Sequence, residues 1–104
     1  MKLATKHTPV GAVITIEIDE NLDLTSNGVF VDASRLAEHA GVGSIEVDLA
    51  KTRTMRDSGL AMLLMLNKLT DRNRNRNPIK LVNCSPQIRS RLAASSLATQ
   101  FRIT

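Results

Sequence analysis

The sequence contains no tryptophan and no tyrosine, a single cysteine and two histidines. One cysteine excludes a disulfide within the chain and any metal site that needs several of its thiolates. His7 and His39 are far apart, and neither has a second His or Cys at metal-ligand spacing. We therefore predict no metal and no cofactor. The sequence also lacks a Ser-His-Asp or Cys-His arrangement and a phosphate-binding glycine loop, so we expect no enzyme activity.

Long apolar runs are missing as well. The longest is the seven-residue stretch 60–66, whereas a membrane-spanning helix needs roughly 20 apolar residues. The N-terminal residues reach no apolar signal-peptide core before the polar residues 5–8. We therefore expect a cytoplasmic protein that does not insert into a membrane.

The length of 104 residues and an apolar content of 42% are those of one compact domain, which we expect to cover residues 1–104. Charge is unevenly distributed: residues 1–50 carry a net charge of −5 and residues 51–104 a net charge of +9. A basic half can bind nucleic acid, but only Phe30 and Phe101 are available to stack on bases. We therefore do not favour nucleic acid as a partner; that hypothesis would rest on five arginines, Arg72, Arg74, Arg76, Arg89 and Arg91.

Alternation of apolar and polar residues predicts two strands in the first half, residues 12–18 and 44–49, with a weaker extended segment near residues 1–6. Between the two strands, one apolar helical face is predicted, and Gly41 is expected to end that helix. The face is formed by Val31, Ala33, Leu36, Ala37 and Ala40.

The second half predicts a helix over residues 57–70, a polar loop over residues 71–78 and a further strand at residues 79–82. Cys84 follows that strand as a small packing residue. Ser85 and Pro86 are typical of a helix start, and an extended tail contains Phe101 and Ile103. Alternating strands and helices favour an α/β fold with a mostly parallel sheet of four to five strands, three to four helices and an N-terminal antiparallel segment.

The segment between the second strand and the long helix carries the candidate site. Asp57, Ser58 and Gly59 open the helix, and by themselves they are typical of an ordinary capped helix start. Gly59 has no Cβ, so we expect another chain's backbone to approach the serine closely there. Arg53 and Arg56 precede the helix and are expected to pair with acidic groups of a partner.

The apolar residues of the long helix form two stripes. Leu60, Leu63 and Leu64 make one, and Met62, Met65, Leu66 and Leu69 make the other. One stripe must cover the sheet. The second is either further core or partly exposed for a partner, because methionine adapts to varied surfaces.

The predicted second strand ends in Asp48-Leu49, and after a short loop the helix opens with Asp57-Ser58-Gly59-Leu60. This arrangement resembles the STAS domain family, and in particular its single-domain anti-sigma factor antagonists. Leu22-Asp23, residues 79–83 and Ser85-Pro86 match other parts of the family pattern, so that the resemblance covers residues 12–103. At the two positions before the serine, the family usually has aspartate and serine, where this chain has Arg56 and Asp57.

The resemblance implies a partner-switching regulator of bacterial transcription. The unphosphorylated chain would bind an anti-sigma factor that is also a serine kinase and so release the sigma factor. Phosphorylation of Ser58 would abolish that binding, and a PP2C-like phosphatase would reverse it. We predict that seven residues bind the partner: Arg53, Arg56, Asp57, Ser58, Gly59, Leu60 and Met62. The alternative is a STAS accessory subunit of an ABC-type membrane transporter, in which the serine is not phosphorylated.

Overall fold

The computed structural model describes residues 2–9, 11–38, 42–70 and 78–104. Within them lie seven strands, three α-helices and two 3-10 turns, the latter at Leu24–Ser26 and Ser96–Thr99. The strands are β1 (Lys2–Thr8), β2 (Gly11–Glu17), β3 (Asn21–Leu22), β4 (Val42–Asp48), β5 (Thr54–Met55), β6 (Lys80–Val82) and β7 (Arg102–Ile103). The helices are α1 (Asn27–Ala37), α2 (Asp57–Thr70) and α3 (Pro86–Ala93).

Five strands form the main sheet in the order β1-β2-β4-β6-β7. β1 is antiparallel to β2, and all other neighbours are parallel. The α/β class, the mostly parallel five-stranded sheet and the N-terminal antiparallel segment are thereby confirmed. The predicted extended tail pairs with β6 as strand β7. Sequence reasoning missed a separate two-stranded parallel sheet made by β3 and β5.

The core lies on one face of the main sheet. Alternate residues of β2, Ile14 and Ile16, are completely buried, and their neighbours on the opposite face are only half-buried. Burying a side chain of this size stabilises the fold by about 1.5–3 kcal/mol. Phe30 and Phe101 belong to the same core, with exposed fractions of 0% and 6%. Neither ring is available to stack on a base, so the two aromatic residues lend no support to nucleic-acid binding.

Helix α1 buries only part of the face that the sequence predicts: Ala33 and Ala37 are buried, as predicted. The buried residues start at Phe30 and follow the spacing i, i+3, i+4, i+7, which leaves the predicted Val31 and Leu36 off the buried face. Val31 and Leu36 are half-buried at the flanks. The helix ends at Ala37; the predicted positions Ala40 and Gly41, together with His39, lie outside the described residues.

Helix α2 also buries neither predicted stripe as a whole. Gly59, Leu63, Leu66 and Thr70 face the core, so each stripe contributes one leucine. Leu60, Met62, Leu64 and Met65 are half-buried against the core, and Leu69 is 42% exposed. A buried threonine is tolerated because its hydroxyl donates to the Leu66 carbonyl at 2.8 Å. The arginine-rich segment 71–77 that follows lies outside the described residues.

Helix α3 begins as the sequence predicts. The Ser85 side chain accepts a hydrogen bond from the Ile88 amide at 3.2 Å, and Pro86 occupies the first helical position. Cys84 is buried, which confirms its packing role, and this burial raises the pKa of its thiol.

Candidate functional site

The candidate site lies where the segments after β2 and β4 run side by side. Residues 51–56 look like an unattached polar loop in the sequence. In the structure, the amides of Arg53 and Thr54 both donate to the Glu20 carbonyl, at 2.8 and 3.1 Å, and the Thr52 hydroxyl donates to the Asp19 carbonyl at 2.9 Å. The Thr54 hydroxyl also bonds the Asn21 side chain. This pairing holds the start of α2 firmly against the segment that follows β2.

Ser58 is the second residue of α2 and is half-buried. The Arg56 carbonyl accepts the amides of Gly59 and Leu60, at 2.9 and 3.1 Å, so the helix begins immediately after Arg56. Ser58 comes before the first of these amides, at the end of the helix where the helix dipole favours negative charge. The electrostatic environment of Ser58 therefore tolerates an added anion.

Gly59 is buried against the chain itself. A Cβ at this position would overlap the backbone carbonyl of Leu22 and crowd the Leu22 side chain. The sequence led us to expect that glycine here lets another chain approach the serine. That reason is wrong, because the close approach is made by β3 of the same chain.

The Leu22 carbonyl also accepts the Arg56 amide, at 3.1 Å. Leu22 thus contacts the chain on both sides of the Asp57-Ser58 pair: it bonds the residue before it and packs against the residue after it. These contacts fix the backbone that presents Ser58.

Arg91 of α3 is the residue of this site that sequence reasoning missed. Its Nε donates to the Met55 carbonyl at 2.6 Å, and a terminal nitrogen of the same guanidinium donates to Asp57 Oδ1 at 2.5 Å. In the sequence, Arg91 appears only as one basic residue among many. The only local signal is its place beside Leu92 on a helix with a buried face, and that does not identify the acceptors.

Asp57 forms an ion pair and does not serve as the helix cap that its position suggests. Its side chain is 95% exposed and pairs with Arg91, whose side chain is 42% exposed. Arg56, at the capping position, has no side-chain acceptor for the first amides of the helix. The start of α2 is therefore held by β3 and by α3 rather than by a capping side chain of its own.

The other predicted partner-binding residues surround this start. Arg53 and Arg56 are exposed, whereas Leu60 and Met62 are half-buried and pack partly against the core. The structure thus brings all seven residues to one end of α2, and Gly59 alone among them is buried.

The 3-10 turn at Leu24–Ser26 packs against α2 and adds two features. Leu24 is 64% exposed, which is unusual for a large apolar side chain. Asp23 caps the turn: its carboxylate accepts the hydroxyl and the amide of Thr25, at 2.5 and 2.9 Å. These two hydrogen bonds, with a smaller attraction from Arg56, lower the pKa of Asp23.

A shallow depression beside the site is lined by Asp19, Glu20, Ala50, Lys51 and Arg53. Lys51 pairs with Glu17 at 2.7 Å, and this hydrogen bond and its charge raise the pKa of Lys51. In the described ranges, no group of three or more His, Cys, Asp or Glu side chains is arranged to hold a metal ion. In these same ranges, no helix has the length and apolarity to cross a membrane.

Three solved structures show what this architecture is similar to. The anti-sigma factor antagonist SpoIIAA in its unphosphorylated form matches with a TM-score of 0.73 and 17% identity, over 99% of this chain and 88% of that one. The phosphorylated form of SpoIIAA, described as a Bacillus cell fate determinant, matches with a TM-score of 0.63 and 19% identity, over 99% and 91%. A serine-to-glutamate variant of RsbS from Moorella thermoacetica matches with a TM-score of 0.70 and 14% identity, over 100% of this chain and 86% of that one.

No protein-family model and no curated protein matches the chain. The structural likeness extends over nearly all of the chain and shows that it has the fold of the STAS domains, as the sequence resemblance predicts. At 14–19% identity, the likeness concerns the fold and not the activity.

Proposed function

We propose that this chain is a cytoplasmic anti-sigma factor antagonist controlled by phosphorylation of Ser58. Unphosphorylated, it binds an anti-sigma factor that is also a serine kinase, and the sigma factor is released. Phosphorylated, it no longer binds, and a PP2C-like phosphatase restores the binding form. The observation that carries the proposal is the place of Ser58: a half-buried residue in the first turn of a helix whose start is fixed by β3 and α3.

The fold comparison supports this function. One similar structure is described as an anti-sigma factor antagonist, and the same protein is described in unphosphorylated and phosphorylated forms. A fold that exists in both forms accommodates the modification without unfolding. Phosphorylation of this chain is therefore expected to act at its binding surface.

The physical effect of phosphate at Ser58 is large for any partner that covers the serine. The group adds about −1.5 to −2 charges and three acceptor oxygens. A partner that closes over it must desolvate the phosphate or oppose it with an acidic group, and either cost reaches several kcal/mol. Because about 1.4 kcal/mol corresponds to a tenfold change in affinity, binding falls by roughly a thousandfold.

The surface around Ser58 favours a partner with acidic groups beside an apolar contact. Arg53 and Arg56 are exposed, and the carboxylate of Asp57 is already paired with Arg91. Leu24 adds an exposed apolar side chain on the neighbouring turn. Exposed arginines of this kind attract the acidic groups of a partner, and an added phosphate offsets part of their charge.

The test begins with recovery of the cellular partners on immobilised Ser58→Ala and Ser58→Asp variants. We expect Ser58→Ala to retain an anti-sigma factor of the kinase class and Ser58→Asp to lose it. Ser85→Asp is the matched control, because Ser85 also starts a helix and aspartate caps as well as serine does. This control is expected to retain the partner.

The recovered kinase is then incubated with the wild-type chain and ATP, and the phosphorylated residue is mapped. We expect phosphate on Ser58, and phosphate on another residue would refute the site. Equal binding of one membrane-transporter component by Ser58→Ala and Ser58→Asp would refute the switch and favour the accessory-subunit alternative.

A further inference from the structure

Asp57 creates an electrostatic problem for the proposed switch. Its carboxylate is on the residue directly before Ser58, with Cα atoms about 3.8 Å apart. A phosphate on the serine would add about −1.5 to −2 charges on the next residue, and like charges well within a Debye length of each other repel. A phosphorylated serine with an uncompensated acidic neighbour is therefore disfavoured.

The structure supplies a compensating group from α3. The Arg91 guanidinium donates through Nε to the Met55 carbonyl, at 2.6 Å, and through a terminal nitrogen to Asp57 Oδ1, at 2.5 Å. The two acceptors lie on either side of Arg56. Because the guanidinium is planar and presents its donors as a rigid fork, one side chain orients both acceptors at once.

α3 holds Arg91 firmly in this position. Ile88 and Leu92, three residues before and one residue after it, are buried, and Ser85 caps the start of the helix. The helix also packs against β5. The guanidinium therefore extends from a helix whose position is fixed by packing, and both of its acceptors are at or just before the start of α2.

We infer that Arg91 is a positioning residue of the Ser58 switch: through Met55 and Asp57, it fixes the start of α2 and neutralises the carboxylate beside the serine. This inference deepens the proposed function and rests on it, in that Ser58 is the residue that carries phosphate. The site also carries the charges of Arg53 and Arg56, before α2, of Asp23, on the neighbouring turn, and of the residues that line the depression beside Arg53: Asp19, Glu20 and Lys51.

The experiment uses full-length protein with phosphoserine incorporated at position 58 during synthesis, so that no kinase is required. The second pKa of the phosphoserine is measured by ³¹P NMR at low ionic strength in four backgrounds: wild type, Arg91→Gln, Asp57→Asn and Arg89→Gln. Removal of Arg91 is expected to raise this pKa by about 0.5, because Asp57 is then uncompensated. Asp57→Asn is expected to lower it by a similar amount.

Arg89→Gln is the matched control. Arg89 is an exposed arginine on the same helix, and it donates to the Thr104 carbonyl at 2.9 Å rather than to the start of α2. Its removal is expected to change the phosphoserine pKa much less than the removal of Arg91 does. Equal shifts of the phosphoserine pKa in Arg91→Gln and Arg89→Gln would overturn the inference. Such a result would mean that the pKa responds only to the net charge of the protein and not to the contact between Arg91 and Asp57.

A second readout separates positioning from charge. Arg91→Lys keeps the positive charge but cannot reproduce the two-acceptor fork. We expect amide hydrogen exchange at Gly59 and Leu60 to accelerate at least fivefold in Arg91→Lys and to stay at the wild-type rate in Arg89→Gln. Unchanged exchange in Arg91→Lys would refute positioning. Since neither readout involves a partner, a failure to find a kinase would count against the proposed function alone.

Discussion

Gly59 and the backbone carbonyl of Leu22 are packed so closely that no side chain fits between them. The same carbonyl accepts the Arg56 amide at 3.1 Å, so β3 contacts the chain on both sides of Ser58, at the residue before α2 and inside its first turn. The position of the serine thus depends on a two-residue strand more than thirty residues earlier in the chain.

Gly59→Ala is expected to destabilise the fold by about 2 kcal/mol or more, because backbone must move to admit the new Cβ. Urea-induced unfolding measures this loss. Gly28→Ala is the control: it lies in α1 with nothing within 4 Å of an added Cβ, and it is expected to be neutral or slightly stabilising. Equal stability of the two variants would show that the contact with Leu22 relaxes freely.

Ser58→Asp is expected to unfold at the same urea concentration as the wild type or at a slightly higher one. A carboxylate in the first turn of a helix interacts favourably with the helix dipole, by about 0.3–1 kcal/mol. The prediction distinguishes lost binding from lost structure. A marked drop in stability would mean that Ser58→Asp fails to bind because it unfolds.

Leu24→Ala is expected to weaken partner binding about tenfold or more while leaving the free energy of unfolding nearly unchanged, since 64% of the side chain is exposed. Leu69→Ala is the matched control, because Leu69 is the other large apolar side chain exposed among the described residues and lies near the far end of α2. Calorimetric titration with the recovered partner compares the two. Equal losses of affinity for the two variants would show that the partner contacts the far end of α2 as strongly as it contacts the 3-10 turn.

The hydrogen bonds from Thr25 make the contribution of Asp23 to stability depend on pH. Its pKa in the folded chain is lowered below the ordinary value of 3.8, so the stabilisation is fully present above that value. It is lost as the pH falls through the lower, folded-state pKa. We therefore expect Asp23→Asn to unfold more easily than the wild type at pH 7, with a smaller difference at pH 3. A difference that is constant between these pH values would contradict this account.

Much of the fold could be predicted because its signals are local. Alternation identified β2 and β4, and Ser85-Pro86 marked the start of α3. Ser58 was correctly placed at a helix start for the same reason, since the apolar run after it has the length of a helix. The buried faces of α1 and α2 were predicted less well, because several apolar residues could face the core and the shape of the sheet selects among them.

The sequence by itself determined the α/β class, the order of the main elements and the place of Ser58 in a first helical turn. Periodicity and helix-start residues act over a few positions and can be read without the fold. Only the tertiary structure decided that Gly59 packs under Leu22, that Leu24 is exposed and that Arg91 holds Asp57. The last contact joins residues 34 positions apart. Such contacts depend on where the sheet brings separate segments together. A local pattern of residues does not indicate which distant segments are neighbours in the fold.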